Sequence, residues 1–112
     1  MKTYRVVIVG PAQHQWRNYY DRILNSCGQQ PADNTQADLR ATIVDLMRTA
    51  GSRPLYYEEP IAAAMGYRRI NFVEGHHFFT LYRVVGDEAV IEYVANFRRS
   101  VRKMIQEPTD CA

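Results

Sequence analysis

The sequence predicts an α+β fold: an N-terminal strand, an antiparallel helical hairpin, a three- to four-stranded antiparallel sheet, and room for a short C-terminal helix. Three observations carry that reading. A β-branched run, Tyr4 to Val9, is closed by Gly10-Pro11. Two segments of helical periodicity follow it. From Gly66 to Arg99 the chain then reads as three strands joined by tight breaks, with arginines where strands start or stop. At 112 residues this is one domain, with no internal repeat and no domain boundary.

Each element has a local reason. Tyr4 to Val9 is apolar enough for a largely buried strand, and Pro11 suits the first turn of a helix, where its missing N–H costs nothing. Trp16, Tyr20, Ile23, Leu24 and Cys27 recur at helical spacing, with Trp16 as the anchor to the sheet and Gly28 as the stop. Gln29 to Asn34, with Pro31, reads as a polar loop. Thr35 and Asp38 then look like a helix N-terminus, and Leu39, Ile43, Leu46, Met47 and Ala50 make the second stripe, joined by Thr42 and ended by Gly51. Both stripes need one face of a sheet, so the other face is expected to stay partly open. Leu55 to Glu59 reads as a short extended piece, and Ile61 to Met65 as a helical turn or loop. Tyr67 to Val73, His77 to Val85 and Ala89 to Phe97 are the strands, with Gly86-Asp87-Glu88 as the second turn. Arg98 to Gln106 can begin a C-terminal helix that Pro108 ends.

The aromatic content (eight Tyr, four Phe, one Trp) favours a sheet, where such side chains fit the pleat. A net charge of +2 makes the whole molecule no polycation, but Arg98, Arg99, Arg102 and Lys103 form a local cluster with no acid among them. The N-terminal apolar run is far too short to span a membrane and shows no signal-peptide pattern. Cys27 and Cys111 do not suggest a disulfide framework, and the expected compartment is the cytoplasm. His76 and His77 are adjacent on a strand, point to opposite faces and are poorly placed to share a metal, so no metal and no cofactor is expected.

Three short motifs recur in order: Gly66-Tyr67-Arg68-Arg69 entering a strand, Leu81-Tyr82-Arg83-Val84 near a hairpin, and Val94-Ala95-Asn96-Phe97-Arg98-Arg99 as a basic end to the last strand. Their order and spacing over nearly the whole chain resemble the RelE/ParE superfamily of toxins from type II toxin–antitoxin modules. The resemblance implies a small toxin, active in growth arrest and plasmid stabilisation, neutralised by a cognate antitoxin whose acidic tail folds onto it. One branch of that family cleaves mRNA on the ribosome; the other inhibits DNA gyrase by binding. A ribonuclease needs cations around the scissile phosphate and a group that moves a proton. A RelE-like enzyme has an arginine three residues before the hairpin tyrosine, where this chain has Phe79. It has a tyrosine six residues after the matched arginine, where this chain has Met104. Neither phenylalanine nor methionine carries protons, so the resemblance favours the ParE-like, gyrase-directed branch.

On that reading the target- or antitoxin-binding residues are Arg68, Arg69, Tyr82, Arg83, Arg98, Arg99, Arg102 and Lys103. Bland alternatives stand beside each. Arg68 and Arg69 also fit a solvated edge with one salt bridge, and Arg83 fits an ion pair with Glu92 or Asp87. The Arg98 to Lys103 cluster fits a solvated tail as well as an anionic partner, although like charges at helical spacing repel. Glu58-Glu59 reads as solvated loop acid or as a catalytic carboxylate. If the chain is a ribosome-dependent endoribonuclease instead, Arg83 and Arg98 are its phosphate-stabilising residues, with the ribosome and mRNA as partners. A third alternative is an inactive member that retains antitoxin binding.

Overall fold

The computed structural model describes residues 2–72, 78–96 and 101–106. In chain order the elements are β1 (Arg5–Ile8), α1 (Gly10–Cys27), α2 (Gln29–Thr49), a 3-10 turn (Ala50–Ser52), α3 (Pro60–Ala64), β2 (Arg68–Asn71), β3 (Phe78–Val85), β4 (Glu88–Asn96) and α4 (Val101–Gln106). The strands form one sheet in the order β1-β4-β3-β2. The last three strands pair antiparallel, as their tight connections require. β1 takes the edge beside β4 and runs parallel to it, Arg5 opposite Glu88 and Ile8 opposite Ile91. The sheet is therefore mixed and not purely antiparallel. The long excursion between these two strands permits that pairing, because parallel neighbours need a crossover of a dozen residues or more.

The helical hairpin departs from the sequence reading at its joint. No loop separates the helices: Gly28 alone joins them. Its N–H donates to the Leu24 carbonyl at 3.1 Å, closing α1, and its own carbonyl accepts from Ala32 at 3.3 Å, opening α2. The backbone there has φ 100°, which glycine adopts without a Cβ penalty. Pro31 falls in the first turn of α2, where the absent N–H would have had no intrahelical partner. Thr35 and Asp38, expected at the helix N-terminus, are buried within the helix, and the Thr35 hydroxyl donates to the Pro31 carbonyl at 2.9 Å.

Both helices pack on one face of the sheet, as their stripes predict. Leu39, Leu46 and Ala50 of the second stripe are buried, Thr42 among them, whereas Met47 is exposed. On α1 the buried positions are Ala12, Gln15 and Tyr19, while Cys27 is exposed and Trp16 half-buried. The stripe is rotated because Gln15 belongs to it: its Oε1 accepts the backbone N–H of Val94 at 2.9 Å, and a buried polar group with a partner is tolerated. Trp16, Tyr19, Phe72 and Phe78 fill the far end with tilted and edge-on ring contacts at centroid distances of 4.9–5.9 Å. Burying side chains of this kind contributes about 1.5–3 kcal/mol each.

The opposite face is less open than expected. α3 and α4 lie on it and build a second core in which Ala62, Val101 and Ile105 meet Tyr67, Phe79, Leu81, Tyr93 and Ala95. The β3–β4 hairpin turns at Gly86, φ 61°. Further along, the register shifts between Leu81 and Tyr82: Leu81 pairs with Tyr93 and Tyr82 with Ile91. Glu92 is the extra residue of that bulge, and it stands beside Tyr93 next to Tyr67.

Candidate functional site

The residues singled out by sequence divide between the two faces of the sheet. Arg68 lies opposite Tyr82, and Arg69 opposite Leu81. Side chains alternate along a strand, so Arg68 and Tyr82 turn under the helices while Arg69 turns to the other face. Arg68 and Tyr82 are thus fold residues, a correction to their expected place at a binding surface. The Arg68 Nη1 donates to the carbonyls of Ala50, Gly51 and Arg53 at 3.2, 2.8 and 2.8 Å. These carbonyls sit where the backbone leaves α2, at the negative end of the helix dipole, which favours a cation. Tyr82 is fully buried, and its hydroxyl donates to the Ala50 carbonyl at 2.9 Å. Burial first raises its pKa, pushing it up to about 12 against the opposing pull of Arg53 and Arg68.

On the other face Arg69 lies 4.0 Å over the Phe79 ring and 5.4 Å over that of Tyr56. It donates to the Tyr56 hydroxyl at 3.0 Å and to the Asn71 side chain at 3.0 Å. A cleft of about 570 Å³ opens along the β2 edge, lined by Arg53, Tyr56, Arg69 and Asn71 together with the carboxylates of Asp45 and Glu58. Asp45 is paired with Arg53 at 2.7 Å, so the cleft is close to charge-balanced.

Arg83 shares that face and is held by Glu92 through its Nε and, at 3.0 Å, its Nη2. Its guanidinium also covers the Tyr67 ring at 4.9 Å. The hydrogen bond to Glu92 raises the Arg83 pKa further above its ordinary value. Tyr67 donates its hydroxyl to the same carboxylate at 3.1 Å. Burial, and then the charge of Glu92, pushes the Tyr67 pKa well up, so the phenol stays protonated at neutral pH. Arg102 donates to Glu59 Oε1 at 3.3 Å, and that oxygen also caps α3 by accepting the Ile61 N–H at 3.2 Å. Glu59 is therefore a clamp between α3 and α4. Arg98, Arg99, His76 and His77, and the side chain of Lys103, lie outside the described residues. Among the described residues no group of three metal-ligating side chains is present, and no helix is long and apolar enough to cross a membrane.

The helical side carries a second concavity. A groove of about 440 Å³ runs between α1 and α2, with Ile8, Leu39 and Val94 on its floor. Its walls come from Gln13, Trp16, Arg17 and Tyr20 on α1 and from Asp33, Gln36 and Arg40 on α2. Polar side chains clasp the helices across it: Trp16 Nε1 donates to Gln36 Oε1 at 2.6 Å, Tyr20 donates to Asp33 at 3.2 Å, and Gln29 donates to the Tyr20 hydroxyl at 3.1 Å. Arg17 and Arg40 stand exposed on its rim, neither bonded nor ion-paired to a described residue. Helical periodicity gives no reason to single them out, since an arginine on the polar side of an amphipathic helix is ordinary. Only the packing of one helix beside the other brings them to one groove.

No family model matches the sequence, and no curated protein does. Among solved structures the chain is similar to one from the chromosomal ParDE TA system from P. aeruginosa. The two are 21% identical, the match covers 84% of this chain and 96% of that one, and the TM-score is 0.67. At that identity the likeness is one of fold, and the fold is the RelE/ParE-like α+β arrangement.

Proposed function

We propose that this protein is the toxin of a type II toxin–antitoxin module, neutralised by a cognate antitoxin, and that it acts on DNA gyrase by binding. The observation that carries the reading is the likeness of its backbone to a ParDE chain along 96% of that chain's length. The chemistry of the sheet face supports binding over cleavage. A ribonuclease needs an unneutralised cation to meet the charge growing on phosphate oxygens. Arg83 instead faces the Glu92 carboxylate, which opposes a phosphate at the same place. A ribonuclease also needs a base near neutrality. The Tyr67 phenol beside Arg83 is held protonated, and Glu59 is engaged by the Ile61 N–H and by Arg102. The cationic segment from Arg98 to Lys103 is left as the candidate target-facing element.

Induction of the chain in a bacterial host tests this directly. The expected outcome is growth arrest with an SOS response, and inhibition of supercoiling when purified protein is added to gyrase. Transcripts mapped by primer extension should stay intact. Cuts in register with codons during arrest would reverse the assignment in favour of a ribosome-dependent endoribonuclease.

A further inference from the structure

We propose that the free edge of β1 is a self-association surface, where a second copy of this chain lays its own β1 antiparallel to the first and joins the two sheets into one. The proposal stands on the backbone of that edge and holds whichever macromolecule the chain acts on. β1 ends the sheet on one side, with only β4 beside it. In a parallel pair, alternate residues turn both backbone groups toward the neighbouring strand. Arg5 and Val9 face β4, their N–H groups donating to the carbonyls of Asp87 and Ile91. Tyr4, Val6 and Ile8 therefore turn theirs outward. Two of these outward groups are engaged within the chain: the Tyr4 N–H donates to the Met47 carbonyl at 2.8 Å, and the Ile8 carbonyl accepts from the Gln13 side chain at 2.7 Å. The Tyr4 carbonyl, both groups of Val6 and the Ile8 N–H have no hydrogen-bond partner among the described residues.

That remainder is complementary to itself. About a two-fold axis at Val6, the Val6 N–H of each copy meets the Val6 carbonyl of the other, and each Ile8 N–H meets the other copy's Tyr4 carbonyl. Every free group is used, and the groups left over are the two already bonded within their own chain. Moving the axis to Val7 sets the Val6 N–H against the Ile8 carbonyl that Gln13 holds, so the register is fixed. An unrelated strand lacks the match, because it offers an N–H to that same carbonyl and a carbonyl to the engaged Tyr4 N–H. The contact is isologous and closes at two copies. Side chains agree with it. On the helical face Tyr4 comes opposite Ile8 and Val6 opposite its counterpart, and aromatic and β-branched side chains make good cross-strand pairs. On the other face Arg5 comes opposite Val7 and not another cation, and its charge is met by Glu88 of its own chain. Edge strands are commonly protected by proline, a bulge or an inward charge, and Arg5-Val6-Val7-Ile8 has none of these. Met47, whose carbonyl holds Tyr4, keeps its side chain 43% exposed, and Val44 one turn earlier is 53% exposed, so the helix at this edge also presents apolar surface.

Sedimentation velocity of the full chain over a wide concentration range tests the proposal, and a reversible monomer–dimer equilibrium is expected. Val6→Pro removes the central donor from each copy and breaks no bond inside the chain, since that N–H faces outward. The variant should dimerise about tenfold more weakly, two hydrogen bonds being lost, and circular dichroism melting establishes that it is folded. A second pair of variants avoids any disturbance by proline. In chains with Cys27→Ser and Cys111→Ser, one carries Arg5→Cys and the other Val7→Cys. Positions 5 and 7 of opposite copies form a non-hydrogen-bonded pair, about 4.5 Å between Cα atoms and within reach of a disulfide. Mild oxidation of the mixture should link one chain of each kind in preference to two of the same kind. A chain that stays monomeric at every concentration, its edge serving a foreign strand or none, overturns the proposal. So does a dimer that Val6→Pro leaves equally tight and that shows no preference for the mixed disulfide, because it associates through another surface.

Discussion

The arginines of the sheet and those of the helical hairpin look alike in sequence and differ in what surrounds them. Arg68 on β2 satisfies three carbonyls where the backbone leaves α2, and Arg83 on β3 is locked to a carboxylate over an aromatic ring. Arg17 and Arg40 on the helices reach into solvent beside an apolar groove. Arg68 ties β2 to the end of α2, Arg83 closes a partly exposed ion pair, and Arg17 and Arg40 have no bond to another described residue. An arginine at a strand start is therefore no guide to a binding surface until its own bonds have been counted.

The sharpest break of this contrast is a pair of alanine substitutions. Arg68→Ala leaves three carbonyls at the end of α2 without their cation and should destabilise the protein by about 3 kcal/mol, read as a lower urea midpoint. Arg17→Ala should change stability by less than about 0.5 kcal/mol, as exposed substitutions do. Equal costs at the two positions would erase the distinction.

Tyr82→Phe comes next in size. Loss of the buried hydrogen bond to Ala50 should cost about 1–2 kcal/mol at neutral pH. The alkaline limb supplies a second signature. An unfolded tyrosine titrates near pH 10, whereas the folded Tyr82 is pushed up to about 12. The neutral phenol is thus the form the fold prefers. Its contribution is complete below pH 10 and is lost as pH rises through 12, an order of about 2–3 kcal/mol. Chemical denaturation between pH 9 and 12 should show that loss in the wild type and a flatter profile in Tyr82→Phe.

A smaller effect than at Tyr82 belongs to Arg83 and Glu92, which are partly solvent-exposed. A double-mutant cycle with alanine at each should give a coupling of about 0.5–1 kcal/mol that weakens in salt. A coupling of several kcal/mol would place the pair with Arg68 as a fold determinant rather than a surface ion pair.

Much of the architecture was legible because it is locally encoded. The β-branched run before Gly10, the two helical stripes and the Gly86 turn each declare themselves within a few residues. What was not legible is non-local. The parallel pairing of β1 with β4 depends on residues more than eighty positions apart, as Arg5 opposite Glu88 illustrates. The covering of the second sheet face by α3 and α4 depends on Val101 and Ile105 finding Leu81 and Tyr93. Pro31 was misleading for a simpler reason: it marks a loop or the first turn of a helix equally well, and only Gly28 decides which. The candidate site suffered most. Whether Arg68 or Arg17 has charge to offer is settled by carbonyls and carboxylates brought in from other elements, and no spacing rule carries that information.

Gly28 has a consequence for how stiffly α1 and α2 are coupled. With a single residue between the helices and a hydrogen bond closed on each side of it, the hairpin has no slack with which to open or narrow. The cross-links from Trp16 to Gln36 and from Tyr20 to Asp33 hold the remaining length. The spacing of α1 and α2 is thus set at the joint and again at two points along their length. Lengthening that joint by one flexible residue should loosen the pair of helices, read as faster amide hydrogen exchange along both.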